Sequence, residues 1–314
     1  MKPLYVVIEL SARCFAGCEG CFRSFVTGPR DGDMTKEIFE AALKGVEPGT
    51  MWLPQYHGDS LLHKDFPYFI QRFKEERMRV SIPIAGFVGE RYIGLLTEEG
   101  TPCYVFIVSM DGECEHSYSV RRGKIPFARA QHFVEEAIRL RAGRPTPWIA
   151  VRWVENGQSE VEFERFVKHW LFERGVDFVL RSRFFRYGDK LNSPTTISSE
   201  LCHSLQEGNP VVLFNGDVLL CERVPARDKN LLGNVLRDDW PTLMSRRAEY
   251  IEHYAKRDPC RLCSAAYLLT GMKGIMQFRH GDAREVYVHG DHSQTFYSLS
   301  REWSGINWSL KERA

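Results

Sequence analysis

Nine cysteines stand in this chain of 314 residues, and their spacing is uneven. Cys14, Cys18 and Cys21 fall within a single short stretch, Cys-x3-Cys-x2-Cys. Three thiolates can wrap one small iron–sulfur cluster, but a cubane needs four ligands, so one iron is left open. An open coordination position separates a catalytic metal site from a closed structural one. The same spacing also suits a zinc knuckle completed by a histidine, or a redox loop. A second group, Cys202, Cys221, Cys260 and Cys263, supplies four sulfurs. Four thiolates satisfy a cubane completely, and they also satisfy a four-cysteine zinc site. Cys103 opens an apolar run and reads as a small buried residue. Cys114 sits in the loop that leaves that run. His57, His116, His289 and His292 are candidate bases by residue type.

The elements that carry these residues are legible from periodicity. Apolar runs at 4–10, 50–55, 79–84, 103–109, 148–154 and 178–184 predict strands. Amphipathic stretches at 34–46, 66–76, 89–99, 126–141 and 160–175 predict helices between them. This alternation predicts an α/β fold with a parallel sheet. Six strands in that length fit a partial (β/α)6 barrel better than an eight-stranded one, with the active site at the carboxyl ends of the strands. Residues 192–196, Asn-Ser-Pro-Thr-Thr, read as a linker. The expected division is 1–191 for the barrel, 192–270 for a small cysteine-bearing domain and 271–314 for an extension of unassigned structure.

Composition narrows the function. The chain has 42 basic and 41 acidic residues and a formal net charge of +1. No basic face for nucleic acid is expected from that balance. No apolar run approaches the roughly 18 residues of a membrane helix, and residues 1–9 are too short and too soon charged for a signal peptide. A cytoplasmic location follows as an expectation. In a reducing compartment, cysteines point to metal binding or catalysis rather than disulfides.

With Cys14, Cys18 and Cys21 placed directly after the first strand, the chain resembles the radical S-adenosylmethionine (SAM) superfamily. The resemblance implies a 4Fe-4S cluster whose open iron is chelated by the amino and carboxylate groups of SAM. Reduction of that cluster cleaves SAM to methionine and a 5′-deoxyadenosyl radical. One departure is Gly20, where the family usually has an aromatic residue near the adenine; Phe22 is the nearest substitute. Gly58-Asp59-Ser60, after the second strand, is similar to the family's Gly-Glu-Pro segment that meets the SAM amino group, with Ser60 in place of proline. Ser109, Met110, Asp111 and Gly112 resemble a Ser-Leu-Asp-Gly motif. Ser109 with Arg121 would then contact the SAM carboxylate or ribose, and Asn156 matches a further SAM contact.

The segment from Gly216 to Cys221, the Leu232-Gly233-Asn234-Val235 stretch and Cys260-x2-Cys263 resemble the SPASM/twitch extension of that superfamily. No cysteine follows Cys263, so the truncated twitch form is implied, with one auxiliary 4Fe-4S cluster on Cys202, Cys221, Cys260 and Cys263. That cluster would relay an electron. The resemblance further implies an electron donor such as flavodoxin or ferredoxin. The expected reaction is dehydrogenation or epimerisation of a small polar, sugar- or cyclitol-like substrate. Cys114 would be the hydrogen donor in an epimerase. A peptide or protein maturase is the alternative, less expected because the first strand begins too early for an N-terminal leader-binding domain. A non-catalytic iron–sulfur or zinc protein is a third reading.

Overall fold

The computed structural model describes residues 3, 5–19, 21–25, 31–155, 159–183, 210–222, 230–253, 273–280 and 282–289. Six strands form its centre: β1 (Tyr5–Ile8), β2 (Met51–Leu53), β3 (Arg79–Ile84), β4 (Cys103–Ser109), β5 (Trp148–Glu155) and β6 (Phe178–Arg183). Each pairs in parallel with the next. β1 reads Tyr-Val-Val-Ile and is buried throughout, as expected of a parallel strand covered on both faces. β1 and β6 do not pair with each other, so the parallel part is an open arc. This is the partial barrel that the alternation predicts.

The crossovers are helical, because parallel neighbours need a long return. They are α1 (Lys36–Leu43), α2 (Phe66–Glu75), α3 (Ile93–Thr97), α4 (Glu115–Arg122), α5 (Phe127–Arg141) and α6 (Glu160–Val167); α6 runs on into a π-helical turn, Lys168–Glu173. Local chemistry starts them. Thr35 accepts a hydrogen bond from the Ile38 amide (3.3 Å). Ser159 and Glu162 form a reciprocal cap at the start of α6. Phe66, Phe69, Ile70 and Phe73 recur at helical spacing and form the buried face of α2. Phe39 of α1 meets Phe69 at 4.6 Å and Phe73 at 5.0 Å between ring centroids, and Trp52 of β2 meets Phe73 at 5.3 Å.

Two further pieces extend the sheet. On the β1 edge, β7 (Val211–Val212) pairs in parallel with β1, and β8 (Asp217–Leu219) and β9 (Leu231–Asn234) follow antiparallel. A seventh helix, α7 (Trp240–Glu252), is capped by Asp239, and its Trp240 indole donates to the Ala42 carbonyl of α1 (2.8 Å). On the other edge, β10 (Lys273–His280) pairs antiparallel with β6, and β11 (Asp282–His289) pairs antiparallel with β10. The hairpin gives backbone structure to part of the 271–314 extension that periodicity left unassigned. The helix α4 was also not expected, because its one large buried apolar residue is Tyr118.

Candidate active site at the carboxyl ends of the strands

The loop leaving β1 carries three cysteines and is fixed by its backbone. Ala12 N donates to Gly32 O and Met34 N to Leu10 O, both at 2.8 Å. The Arg13 guanidinium grips Asp33 (Nε to Oδ1, 3.1 Å) and reaches Leu62 O at 3.3 Å. The Arg23 side chain donates to Ala12 O. Gly17, at φ +64°, turns the chain between Cys14 and Cys18. The Cys21 amide donates to Cys18 O at 3.3 Å. Cys14, Cys18 and Cys21 are partly exposed and not disulfide-bonded. Burial raises the Cys14 thiol to about 11, and the neighbouring Asp59, Cys18 and Cys21 push it the same way. Burial also raises Cys21. Thiols held like this keep their protons until a metal displaces them.

The loop after β2 packs on the cysteine loop. A Cβ on Gly58 would stand 2.1 Å from Ser11 O and 2.7 Å from Arg13 O, so only glycine lets the two backbones approach. The Asp59 amide donates to Arg13 O at 2.8 Å. Its carboxylate caps the 3-10 turn Ser60–Leu62 through the Leu61 amide (3.0 Å) and accepts from Ala85 N after β3 (3.4 Å). Burial outweighs those two amides and raises Asp59 to about 6. Ser60 is buried and donates to Pro54 O. These residues tie the ends of β2 and β3 to the cysteine loop.

Glu9 is a residue that sequence reasoning missed. It is a buried carboxylate at the end of β1. His57 N and His57 Nδ1 each lie 3.0 Å from its Oε1, and Phe214 N lies 3.5 Å from its Oε2. It thereby links β1, the β2 loop and the β7–β8 turn. The available signal was a charge placed directly after an apolar strand.

The chain leaving the fourth strand leads to the second missed residue, Arg122 of α4. Ser109 is buried and accepts from Arg152 of β5 (2.8 Å). Asp111, at φ +50°, turns inward: its Oδ1 accepts from Val154 N at 2.6 Å, and its Oδ2 pairs with Arg122. Arg122 Nη1 reaches Cys18 Sγ at 3.7 Å. Burial disfavours that cation, but Asp111 and Cys18 outweigh it and the guanidinium is held above its ordinary range. Arg121, expected at this site, is buried one position earlier on α4; its carbonyl accepts from Glu19 N (3.0 Å), and burial lowers its side chain. The structure therefore brings Arg122 to the cysteine loop and Arg121's backbone to its rim. Gly123 completes the contact, since a Cβ there would stand 2.9 Å from Gly17 O.

Cys114 is exposed at the start of α4, 3.4 Å from Ser117 Oγ, which also accepts its amide (3.3 Å). Cys103 is fully buried in β4 and burial pushes its thiol well above the ordinary range. Cys221 is buried after β8, within electrostatic reach of Arg247 on α7. Asn156, Cys202, Cys260, Cys263 and His292 lie outside the described residues, as do Gly20 and the side chain of Phe22.

The cysteine loop fits an iron–sulfur cluster on donor chemistry. Three thiols feel one another's charge, and a buried guanidinium faces one of them. Two buried donors on α4, the Tyr118 hydroxyl and Arg122 Nε, have no hydrogen-bond acceptor among the described residues. Among those residues no three His, Cys, Asp or Glu side chains converge on a single-ion site.

No protein-family model matches the chain, and no curated protein matches its sequence. Solved structures do match. One is anSMEcpe with bound AdoMet and Cp18Cys peptide, at TM-score 0.62 and 16% identity over 83% of this chain and 88% of that one. The fold is shared. A second is Streptococcus suis SuiB bound to S-adenosylmethionine, at TM-score 0.62 and 12% identity over 86% of this chain and 75% of that one. A third is BtrN in complex with AdoMet and 2-DOIA, at TM-score 0.51 and 17% identity over 84% and 94%. At these identities the likeness shows the fold alone. No helix among the described residues is long and apolar enough to cross a membrane.

Proposed function

We propose that the chain is a radical SAM enzyme. The observation that carries this is the Cys14-Cys18-Cys21 loop at the end of β1, clasped by Gly58-Asp59 and by Arg122, on a fold shared with anSMEcpe and BtrN, both solved with AdoMet. Cys14, Cys18 and Cys21 would hold a 4Fe-4S cluster. When bound and reduced, the cluster supplies reductive SAM cleavage to a 5′-deoxyadenosyl radical that abstracts hydrogen from the substrate. The residues have separate tasks: the β2 loop, with Gly58, Asp59 and Ser60, keeps the cysteine loop rigid, and Ser109, Arg121 and Asn156 are assigned to SAM. Cys202, Cys221, Cys260 and Cys263 are assigned to an auxiliary 4Fe-4S cluster of the twitch type within residues 192–270, with 1–191 as the barrel. A cytoplasmic flavodoxin or ferredoxin is the assigned electron donor.

The proposed reaction is dehydrogenation or epimerisation of a small polar, sugar- or cyclitol-like molecule. Its support is that the chain spans 94% of BtrN, which was solved with 2-DOIA. A peptide substrate is the second reading, favoured by the higher TM-scores of anSMEcpe with Cp18Cys peptide (0.62) and SuiB with precursor peptide SuiA (0.59).

Anaerobic reconstitution tests the enzyme reading. Roughly eight irons per chain are expected, with 5′-deoxyadenosine formed from SAM and dithionite. Cys18→Ala is expected to abolish that product. About two zincs per chain and intact SAM would overturn the reading. Deuterium transfer into 5′-deoxyadenosine from a labelled aminocyclitol, rather than from a labelled peptide, decides between the substrates. Cys114→Ala is expected to stop epimerisation while sparing SAM cleavage; unchanged product rules out its role as hydrogen donor.

A further inference from the structure

Cys18 has a different environment from Cys14 and Cys21. A guanidinium nitrogen of Arg122 lies 3.7 Å from its sulfur. Arg122 is buried, and its other arm is paired with Asp111, itself buried and fixed by the Val154 amide. Tyr118, one helical turn earlier on α4, is fully buried with a hydroxyl that meets no acceptor among the described residues; Arg122 Nε is in the same position. Tyr118 and Arg122 each feel the charge of Cys18. Burying two unsatisfied donors beside a charge pair is costly unless an acceptor arrives. A ligated, anionic sulfur supplies one.

We propose that Arg122, oriented by Asp111, is a positioning residue that donates to the Cys18 sulfur of the loaded cluster and raises its reduction potential. The inference rests on the radical SAM reading and adds a residue that the Ser109/Arg121 pattern does not contain. Reduction adds one electron to a cluster already carrying thiolate charge. A donor on a ligating sulfur stabilises the reduced form more than the oxidised form, so losing it lowers the potential. Asp111 keeps the guanidinium in place and balances its charge.

The test is potentiometric titration of the reconstituted full chain, followed by the electron paramagnetic resonance signal of the reduced cluster, in wild type and variants. Asp111→Asn with Arg122→Met removes both charges together, so the net charge is unchanged and the shift reports the lost donor. Its midpoint potential is expected to fall by at least 59 mV, a tenfold change in the reduction equilibrium. Arg122→Lys keeps the charge opposite Asp111 but cannot fork between two partners, and a smaller fall is expected. This second variant carries the test should the double variant fail to fold. A cluster of full iron content with an unshifted potential, in the double variant or in Arg122→Lys, overturns the proposal. A wild-type chain that assembles no cluster overturns the reading beneath it, which is a separate outcome.

Discussion

Gly58 leaves no room for a side chain. With Ser11 O 2.1 Å from the position of its missing Cβ, Gly58→Ala must push two backbones apart. A cost of about 1–3 kcal/mol is expected from overpacking, together with lower iron retention, checked by urea denaturation and iron assay. Buried charges here depend on partners in the same way. Removing Arg122 alone leaves Asp111 buried without its cation, so Arg122→Met by itself is expected to destabilise by about 3–5 kcal/mol, more than the double variant. His63 supplies a pH dependence away from the cysteines. Its Nε2 lies 2.9 Å from Met34 O, its Nδ1 accepts from Asp65 N (2.9 Å), and burial lowers its affinity for a proton. The unfolded chain therefore takes up this proton first as pH falls. Stability from His63 is present above about pH 6.5 and is lost below it. Urea midpoints measured across that range are expected to fall with acidification, and His63→Gln is expected to flatten the slope.

Among the elements, the strands were more legible than the helix that completes the site. Runs rich in apolar residues mark β3, β4, β5 and β6 closely, because a strand inside a covered parallel sheet must bury most of its side chains. The face of α2 was legible for a similar reason: four apolar side chains at helical spacing leave one direction for the core. Phe73→Ala, at the centre of the Phe39–Trp52 contact, is expected to cost about 3–5 kcal/mol by urea denaturation. By contrast α4, Glu-His-Ser-Tyr-Ser-Val-Arg-Arg, buries Tyr118, Arg121 and Arg122. Its inward face is polar, so hydrophobic periodicity gives no sign of it. A buried arginine is selected by the partners it meets, here Asp111 and Cys18, and these lie on other elements.

At the scale of the whole molecule, the β7–β9 strands continue the barrel's own sheet. They join at β1, the strand that leads into the cysteine loop, and Glu9 hydrogen-bonds across that junction. The segment carrying Cys221 is therefore anchored to the strand that leads into the loop of Cys14. Under the two-cluster proposal, Cys221→Ala is expected to leave about four irons per chain and to retain SAM cleavage while product formation is lost. Iron assay with 5′-deoxyadenosine and product analysis checks each part.

The cysteine spacings, the βα alternation and the near-neutral charge were available from the chain alone, because ligand number and hydrophobic period are local properties of sequence. Which arginine turns toward Cys18 was not. Successive helical residues point about 100° apart, and α4 offers two adjacent arginines, both buried. Only the packing of α4 against the cysteine loop, through Gly123 on Gly17 and Glu19 on the Arg121 carbonyl, decided that Arg122 faces the sulfur. The joining of β7 to β1 was decided there as well, since a hydrogen-bonded pairing between residues some two hundred positions apart depends on the assembled sheet edge.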